Sequence, residues 1–375
     1  MGDILFLAHR LPYPPDRGDR IRSWHVLKAL ATLAPVHVCA LIDDEADRVH
    51  VAMVESVAAS VTVVERRKSK LRAMAEALAT GQSASVAAFA DKDLMGAINT
   101  RLLLVDTVYA FSSQMAAYVP ADFRGRFVMD FVDMDSAKFA ALGFAWRQEA
   151  KRLLAWEIAA AKRADVSLFV SDAEAGLFMR ETGLPAEVMG NGVDLDRFSP
   201  DVVPPVDVPQ PLIVFAGQMD YAPNVEAVTM FAREALPKIQ SAVSDVRFAI
   251  VGRAPTAAVQ ALASAGVIVT GEVPDTRPWL AAASLVVAPL RIARGVQNKV
   301  LEAMAMGKAC VVSPGAAEGI DANELVVADD PAEAVIALLK DPERASAISK
   351  AARARMVETY RWDTQLAPLA GFVGR

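Results

Sequence analysis

The sequence predicts an α/β protein of two doubly wound parallel-sheet domains, and three observations carry that prediction. Short continuous apolar runs alternate with helix-length stretches along the whole chain, the pattern of parallel strands buried on both faces by crossover helices. The 375 residues exceed one ordinary core and suit two domains of middling size. The alternation breaks once, at the Pro-rich SPDVVPPVDVPQP, which ends at Pro211 and reads as an interdomain linker.

Taken in order, ILFLAH is the first strand, and a helix is expected from about Ile21 to Leu33. The strands VHVCALI, VTVVE, TVYAFS, RFVMDFV and VSLFVS follow, each separated by helix-length sequence. A second series begins at LIVFAG and continues through VRFAIVG, VIVTG, LVVAPL, ACVVS and ELVVA. The expected domains are 1–185 and 186–355. A C-terminal helical segment, 356–375, is expected to pack back on the first domain, because the tail from about Ala332 holds more helix than one crossover needs.

Composition narrows the function classes. A net charge of −6 argues against a general nucleic-acid binder, which needs a basic surface to neutralise phosphates. Hydrophobic residues make up 54% of the chain, yet no uninterrupted apolar run approaches the roughly 20 residues of a spanning helix. The N-terminal MGDILFLAHR carries no basic leader, and the two cysteines, Cys39 and Cys310, supply neither a disulfide framework nor a zinc spacing. A cytoplasmic location is expected. The first strand runs into HRLPYPPDRGD rather than a G-x-G-x-x-G turn, which disfavours an NAD enzyme.

One segment concentrates the chemistry. In APLRIARGVQNKVLEAM an apolar strand ends at Pro289, a basic Gly-containing turn follows, and a helix then carries Lys299 and Glu302 three residues apart on one face. Helix N-termini offer unpaired N–H groups and partial positive charge to a diphosphate. Lys299 adds a full charge one turn in, and Glu302 can accept two hydrogen bonds from a ribose diol. That combination suits a nucleotide sugar.

Further segments carry a family resemblance. NGVD followed by F-x-P in MGNGVDLDRFSP, together with K-x-x-E-A-M-A-x-G-K-x-x-V downstream, resembles the retaining glycosyltransferases of family four, group 1, which have the two-Rossmann GT-B fold. HRLPYPPDRGDRIRSW, DFVDMDS, GQMDYAPN and APLRIARGVQNKVLEAM resemble one subgroup, the sugar transferases associated with the PEP-CTERM and exosortase system. The resemblance spans nearly the whole chain. It implies two Rossmann-like domains facing across a cleft, an acceptor-binding N-terminal domain and a donor-binding C-terminal domain.

Laid on matching positions, the resemblance makes Glu302 the carboxylate that holds the donor ribose. Gly295, Val296 and Gln297 form the turn beside it, and Gly217 ends the first strand of the donor domain. Two departures matter. Many family members carry a glutamate eight residues before Glu302, but position 294 is Arg, which suits a diphosphate leaving group. The strand before Gly217 usually leads into G-R-x-x-x-x-K-G, whose two cations are missing from Gly217-Gln218-Met219-Asp220-Tyr221-Ala222-Pro223-Asn224. The phosphate charge then falls to Lys299 and Arg294, with Arg253 and Arg291 as further cations near strand ends. For Arg253 a solvated loop charge is an equal reading. Val273, in Gly271-Glu272-Val273-Pro274-Asp275, is a candidate base contact, although Pro274-Asp275 suits any turn.

In the first domain, Gly18 lets backbone approach a donor phosphate or an acceptor closely. Asp19 is a helix cap or an acceptor contact. Arg17, Arg20 and Arg22 make that loop cationic enough for a phosphorylated acceptor. Asp133, in DFVDMDSAKF, takes the family position that hydrogen-bonds the transferred sugar, with Asp135 as a cap. Three acids there resemble a metal site, but no histidine completes it and the family needs no metal, so no cofactor is expected. Ser171 and Glu174 form a capping box. ERRKSKLRAMAEAL is either a solvated helix face or a peripheral contact with anionic membrane lipids.

The expected function is hexosyl transfer with retention, from a nucleotide-diphosphate sugar to a lipid-linked exopolysaccharide precursor. Lys299, Arg294 and helix N–H groups stabilise the leaving diphosphate, one of whose oxygens takes the acceptor proton. A nucleotide-sugar epimerase of the same fold and a non-catalytic nucleotide-sugar-binding component of an export complex are the alternatives.

Overall fold

A computed structural model describes residues 2–291, 293 and 295–375, and the chain divides into two compact units. The first comprises residues 2–190 and Leu366–Arg375, the second Asn191–Gln365.

The first unit is built on β1 (Asp3–Ala8), β2 (Val36–Ile42), β3 (Ser60–Glu65), β4 (Val105–Phe111), β5 (Arg126–Val132), β6 (Val166–Phe169) and β7 (Glu187–Val188), all parallel, in the order β3-β2-β1-β4-β5-β6-β7. The second is built on β8 (Leu212–Ala216), β9 (Arg247–Val251), β10 (Val267–Gly271), β11 (Leu285–Ala288), β12 (Cys310–Val312) and β13 (Val326–Val327), again all parallel, in the order β10-β9-β8-β11-β12-β13. Both are doubly wound. Strand order reverses beside β1 in one sheet and beside β8 in the other, so each has a switch point whose carboxyl-end crevice is the expected ligand position.

The central strands explain the order. β8 and β11, LIVFA and LVVA, are buried at every residue, and so is β1 after Asp3, as expected for strands covered on both faces. β3 and β10, at sheet edges, are half-buried along most of their length. The first helix spans Gly18–Ala31, three residues earlier than the apolar pattern suggested at its start.

The Pro-rich segment is not an interdomain linker. It lies inside the second unit, where Val203, Val206 and Val208 pack against the second core and the Val206 N–H donates to Pro278 O at 3.1 Å. The apolar valines between its prolines are what hold it there. The boundary falls at 190/191 instead, because the Arg22 guanidinium donates to Met189 O and Gly190 O at 2.8 and 3.1 Å. At the other end the helix Pro342–Thr359 stays with the second core through Ala352 and Met356. Leu366–Arg375 belongs to the first unit, where Arg126 Nε donates to Phe372 O at 2.6 Å and Arg375 Nη2 donates to Gly2 O and Asp106 Oδ1, both at 2.7 Å.

Candidate functional site

In the second unit the loops that follow β8 and β11 emerge side by side at the switch point. The helix Asn298–Ala305 turns Val300, Leu301, Ala303, Met304 and Ala305 into the core. Burying side chains such as Leu301 and Met304 contributes roughly 1.5–3 kcal/mol each. Their spacing leaves Lys299 and Glu302 together on the other side, because residues three apart share a helix face. Before that helix, Gly295 is buried at φ 65°. Ser313, just past β12, donates its hydroxyl to Leu290 O at 2.6 Å and anchors the start of the β11 loop.

Lys299 does not point into open solvent. Its Nζ donates to Asn224 Oδ1 at 2.6 Å and lies 4.4 Å from the centroid of the Phe215 ring. Asn224 is buried in the helix Ala222–Met230, and its Nδ2 donates to Gln218 O at 2.8 Å, closing the β8 loop. Gly217 permits this approach: a Cβ there would meet Asn224 Nδ2 at 2.9 Å and Lys299 Nζ at 3.1 Å. Gly252 is required just as closely, since a Cβ on it would fall 1.8 Å from Gly217 O.

Lys299 and Glu302 keep some accessible surface, yet protein surrounds their charged ends. Burial pulls the Lys299 ammonium down to about 7, with Glu302 opposing the shift. Burial likewise pushes the Glu302 carboxyl up to about 7, against the attraction of Arg197 and Lys299. Each group sits where its charge is under-compensated, so a diphosphate beside Lys299 and a diol beside Glu302 would each relieve a desolvation cost.

The remaining positions divide. Gln297 precedes the 298–305 helix, Val296 packs against the second core, and both are partly buried. Val273 is also partly buried on that core, just after β10, where Gly271 takes φ 69°. Arg253 O accepts from Met219 N at 2.9 Å, which sets the β9 loop against the β8 loop. Arg291 is largely exposed, 3.6 Å from Glu226. Arg294 lies outside the described residues. Asn191 Nδ2 donates to Asn298 Oδ1 at 3.1 Å, tying NGVD to the first turn of the site helix. Asp194 Oδ1 caps the Arg197 N–H at 2.9 Å.

Gly18 and Asp133 belong to the first unit. Gly18 opens the helix Gly18–Ala31 and is exposed. Asp133 follows β5, and its Oδ2 accepts from Lys138 Nζ at 2.7 Å, while Lys138 also reaches Asp135 at 3.2 Å. Asp133 Oδ1 is buried with no partner among the described residues. Among those residues no group of three or more His, Cys, Asp or Glu side chains is arranged to hold a metal. Asp130 is instead taken up by Arg22 and Tyr109.

Sequence reasoning missed Asn224 as the partner of Lys299, although GQMDYAPN was singled out. It also missed Arg197, whose charge acts on Glu302. The missing signal was spatial: 75 residues separate Asn224 from Lys299.

With this geometry in hand, comparisons place the chain. Residues 210–341 match the family model described as Glycosyl transferases group 1. No curated protein matches. The crystal structure of Anabaena Alr3699/HepE in complex with UDP-glucose covers 100% of both chains at 16% identity with a TM-score of 0.70. WaaG, a glycosyltransferase involved in lipopolysaccharide biosynthesis, is 16% identical over 99% of this chain and 100% of its own, with a TM-score of 0.69. A glycosyltransferase from Rickettsia africae ESF-5 is 14% identical over 99% of this chain and 97% of its own, with a TM-score of 0.65. The fold is that of the GT-B glycosyltransferases. Gly217, Asn224, Lys299 and Glu302 all lie within the residues that match the glycosyl transferases group 1 model.

Proposed function

We propose that the protein is a retaining hexosyltransferase that uses a nucleotide-diphosphate sugar and glycosylates a lipid-linked exopolysaccharide precursor. The observation that carries this reading is the under-compensated Lys299 and Glu302 pair at the β8/β11 switch point. Glu302 accepts the ribose diol. Lys299 and the first-turn amides of its helix face the diphosphate, where they stabilise the charge that grows as the glycosidic bond breaks. The acceptor hydroxyl attacks from the face the leaving group departs, and a diphosphate oxygen takes its proton. Arg294, Arg253 and Arg291 are proposed as supporting cations, Gly295, Val296, Gln297 and Val273 as donor contacts. Asp133 and Gly18 serve the transferred sugar and the acceptor.

Titration of UDP and UDP-glucose by calorimetry tests the donor half, with the Anabaena protein's UDP-glucose complex motivating that choice of probe. Binding by the parent and at least about tenfold weaker binding by Glu302→Gln and Lys299→Gln is expected. Equal binding by all three proteins contradicts the site. Acceptor-dependent release of UDP separates the transferase from an epimerase or a binding protein.

The membrane half of the reading draws support from the helix Lys70–Thr80. Ala73 and Ala77 are its buried face, while Leu71 and Leu78 are 79% and 73% exposed beside exposed Arg67 and Arg72. That face suits contact with an anionic bilayer surface. Among the described residues no helix is long and apolar enough to cross a membrane. Co-sedimentation with anionic vesicles should weaken for the double variant Leu71→Ser, Leu78→Ser; unchanged sedimentation rejects this face.

A further inference from the structure

Three arginines, two from the loop after β1 and one from the end of β3, converge at the carboxyl ends of β1, β2 and β3. Arg10 comes two residues after β1, Arg17 immediately before the helix Gly18–Ala31, and Arg66 immediately after β3. Two carboxylates hold them. Asp43, the first residue after β2, accepts from Arg10 Nε at 2.6 Å and from Arg66 Nε and Nη2 at 2.9 and 2.6 Å, and it lies 3.7 Å from Arg17 Nη2. Asp19 accepts from Arg10 Nη1 at 2.9 Å and sits 2.9 Å from Arg17 Nε and 3.3 Å from His9 Nε2. The Phe89 ring packs beneath two of the guanidiniums, 5.0 Å from Arg66 and 5.8 Å from Arg10.

This differs from the cationic loop expected from the sequence. Arg22 is fully buried against Asp130, and Arg20 turns to Asp47 and Asp16. Arg17 remains, joined by Arg10 and by Arg66, which the sequence had assigned to a solvated or lipid-facing run. Asp19 is not the helix cap expected of it: it lies inside the first turn, where its Oδ1 accepts from the Arg20 N–H at 3.0 Å, and it orients the arginines.

Two carboxylates fix three planar forks without exhausting them. Among the described residues, Arg10 Nη2, Arg17 Nη1 and Arg66 Nη1 donate no hydrogen bond. A guanidinium held along one edge keeps another edge for a second oxyanion, and little entropy is lost on binding because the forks are already oriented. The five groups sum to one positive charge. Their side chains remain about a quarter exposed, so a ligand can reach them. The first-turn amides of the Gly18–Ala31 helix lie at the same strand ends.

We propose that Arg10, Arg17 and Arg66, braced by Asp19 and Asp43, form an oxyanion subsite for a phosphate group. Its assignment to the acceptor rests on the glycosyl-transfer reading; the anion binding itself does not. A phosphate presented by a lipid headgroup and one on a soluble sugar share this chemistry.

The test titrates inorganic phosphate into the full-length protein at low salt, following both heat and thermal midpoint. Arg66→Gln and Arg17→Gln should each weaken phosphate binding at least about tenfold, and Arg66→Lys should recover only part of it. UDP affinity should stay within about twofold of the parent in these variants, which separates this subsite from the donor site. Lys299→Gln should do the reverse, so failure of one site is not failure of the other. Vesicles of phosphatidylcholine with phosphatidic acid identify the source. Sedimentation that Arg66→Gln abolishes marks a headgroup, whereas phosphate binding without sedimentation marks a soluble phosphorylated acceptor. Phosphate binding that is undetectable at millimolar concentrations, or unchanged in both glutamine variants, overturns the proposal.

Discussion

Lys299 Nζ donates to Asn224 Oδ1 at 2.6 Å, and Asn224 passes the constraint on to the β8 loop through Gln218 O. The cation pair that the glycosyltransferase resemblance leads one to expect is absent from this loop, and a neutral amide orients the lysine of the neighbouring helix. Under the proposed function, that bond makes Asn224 a positioning residue for the charge assigned to the diphosphate.

Replacing Asn224 with Ala should therefore weaken UDP binding by about tenfold, roughly 1.4 kcal/mol, since the lost bond involves a charged donor. Calorimetry measures it. An affinity within twofold of the parent would show that Lys299 finds its place without the amide.

UDP affinity should peak near neutral pH. Burial lowers Lys299 to about 7 and raises Glu302 to about 7. Binding requires Lys299 protonated and Glu302 ionised, so affinity declines on the alkaline side as Lys299 loses its proton and on the acid side as Glu302 gains one. Each limb approaches about tenfold per pH unit, with the two groups titrating as a coupled pair. Lys299→Arg should carry the alkaline limb upward because guanidinium does not titrate in this range, and Glu302→Gln should flatten the acid limb. A level profile in the parent protein would contradict the pairing.

Arg22→Ala should destabilise the protein by about 3–5 kcal/mol in urea unfolding, because it strands a buried carboxylate. Arg22 and Asp130 are both fully buried, paired at 3.0 Å, and Tyr109 donates its hydroxyl to the same Asp130 Oδ2 at 2.6 Å. The double change Arg22→Met, Asp130→Leu should recover much of the loss. A loss below about 1 kcal/mol for Arg22→Ala would mean water reaches Asp130.

Glu157 gives stability a pH dependence of its own. It is fully buried, holds Ser136 through both its N–H and hydroxyl, and burial chiefly raises its carboxyl from 4.5 to about 8. Between those values the folded state keeps a proton that the unfolded chain has released. Its contribution is complete below the lower value and is lost as pH rises through the upper one, at a slope approaching ~1.4 kcal/mol per unit. Glu157→Gln should reduce that slope in denaturation curves taken across the window; an identical slope would place the titration elsewhere.

The sheets were legible because their strands are apolar at nearly every position. A run such as LIVFA has few alternatives to a buried parallel strand. Lys299 and Glu302 were legible because one helix carries both, so their spacing alone sets their common face. Asn224 and the Arg10, Arg17 and Arg66 cluster were not, since each is assembled by loops from different strand ends and no local period encodes such a meeting. The Pro-rich segment misled for a related reason. Proline count marks irregular backbone, but Val203, Val206 and Val208 decide what that backbone packs on.

The last ten residues complete the first unit, while the second is continuous from Asn191 to Gln365. The first unit therefore depends on residues that follow the whole of the second in sequence. A chain truncated after residue 365 is expected to hold the second core closed while Asp106 and Arg126 still lack Arg375 and Phe372. Pulse proteolysis of that truncated chain should cut the first sheet faster than the second, and equal resistance would show that the early strands close without their final cap.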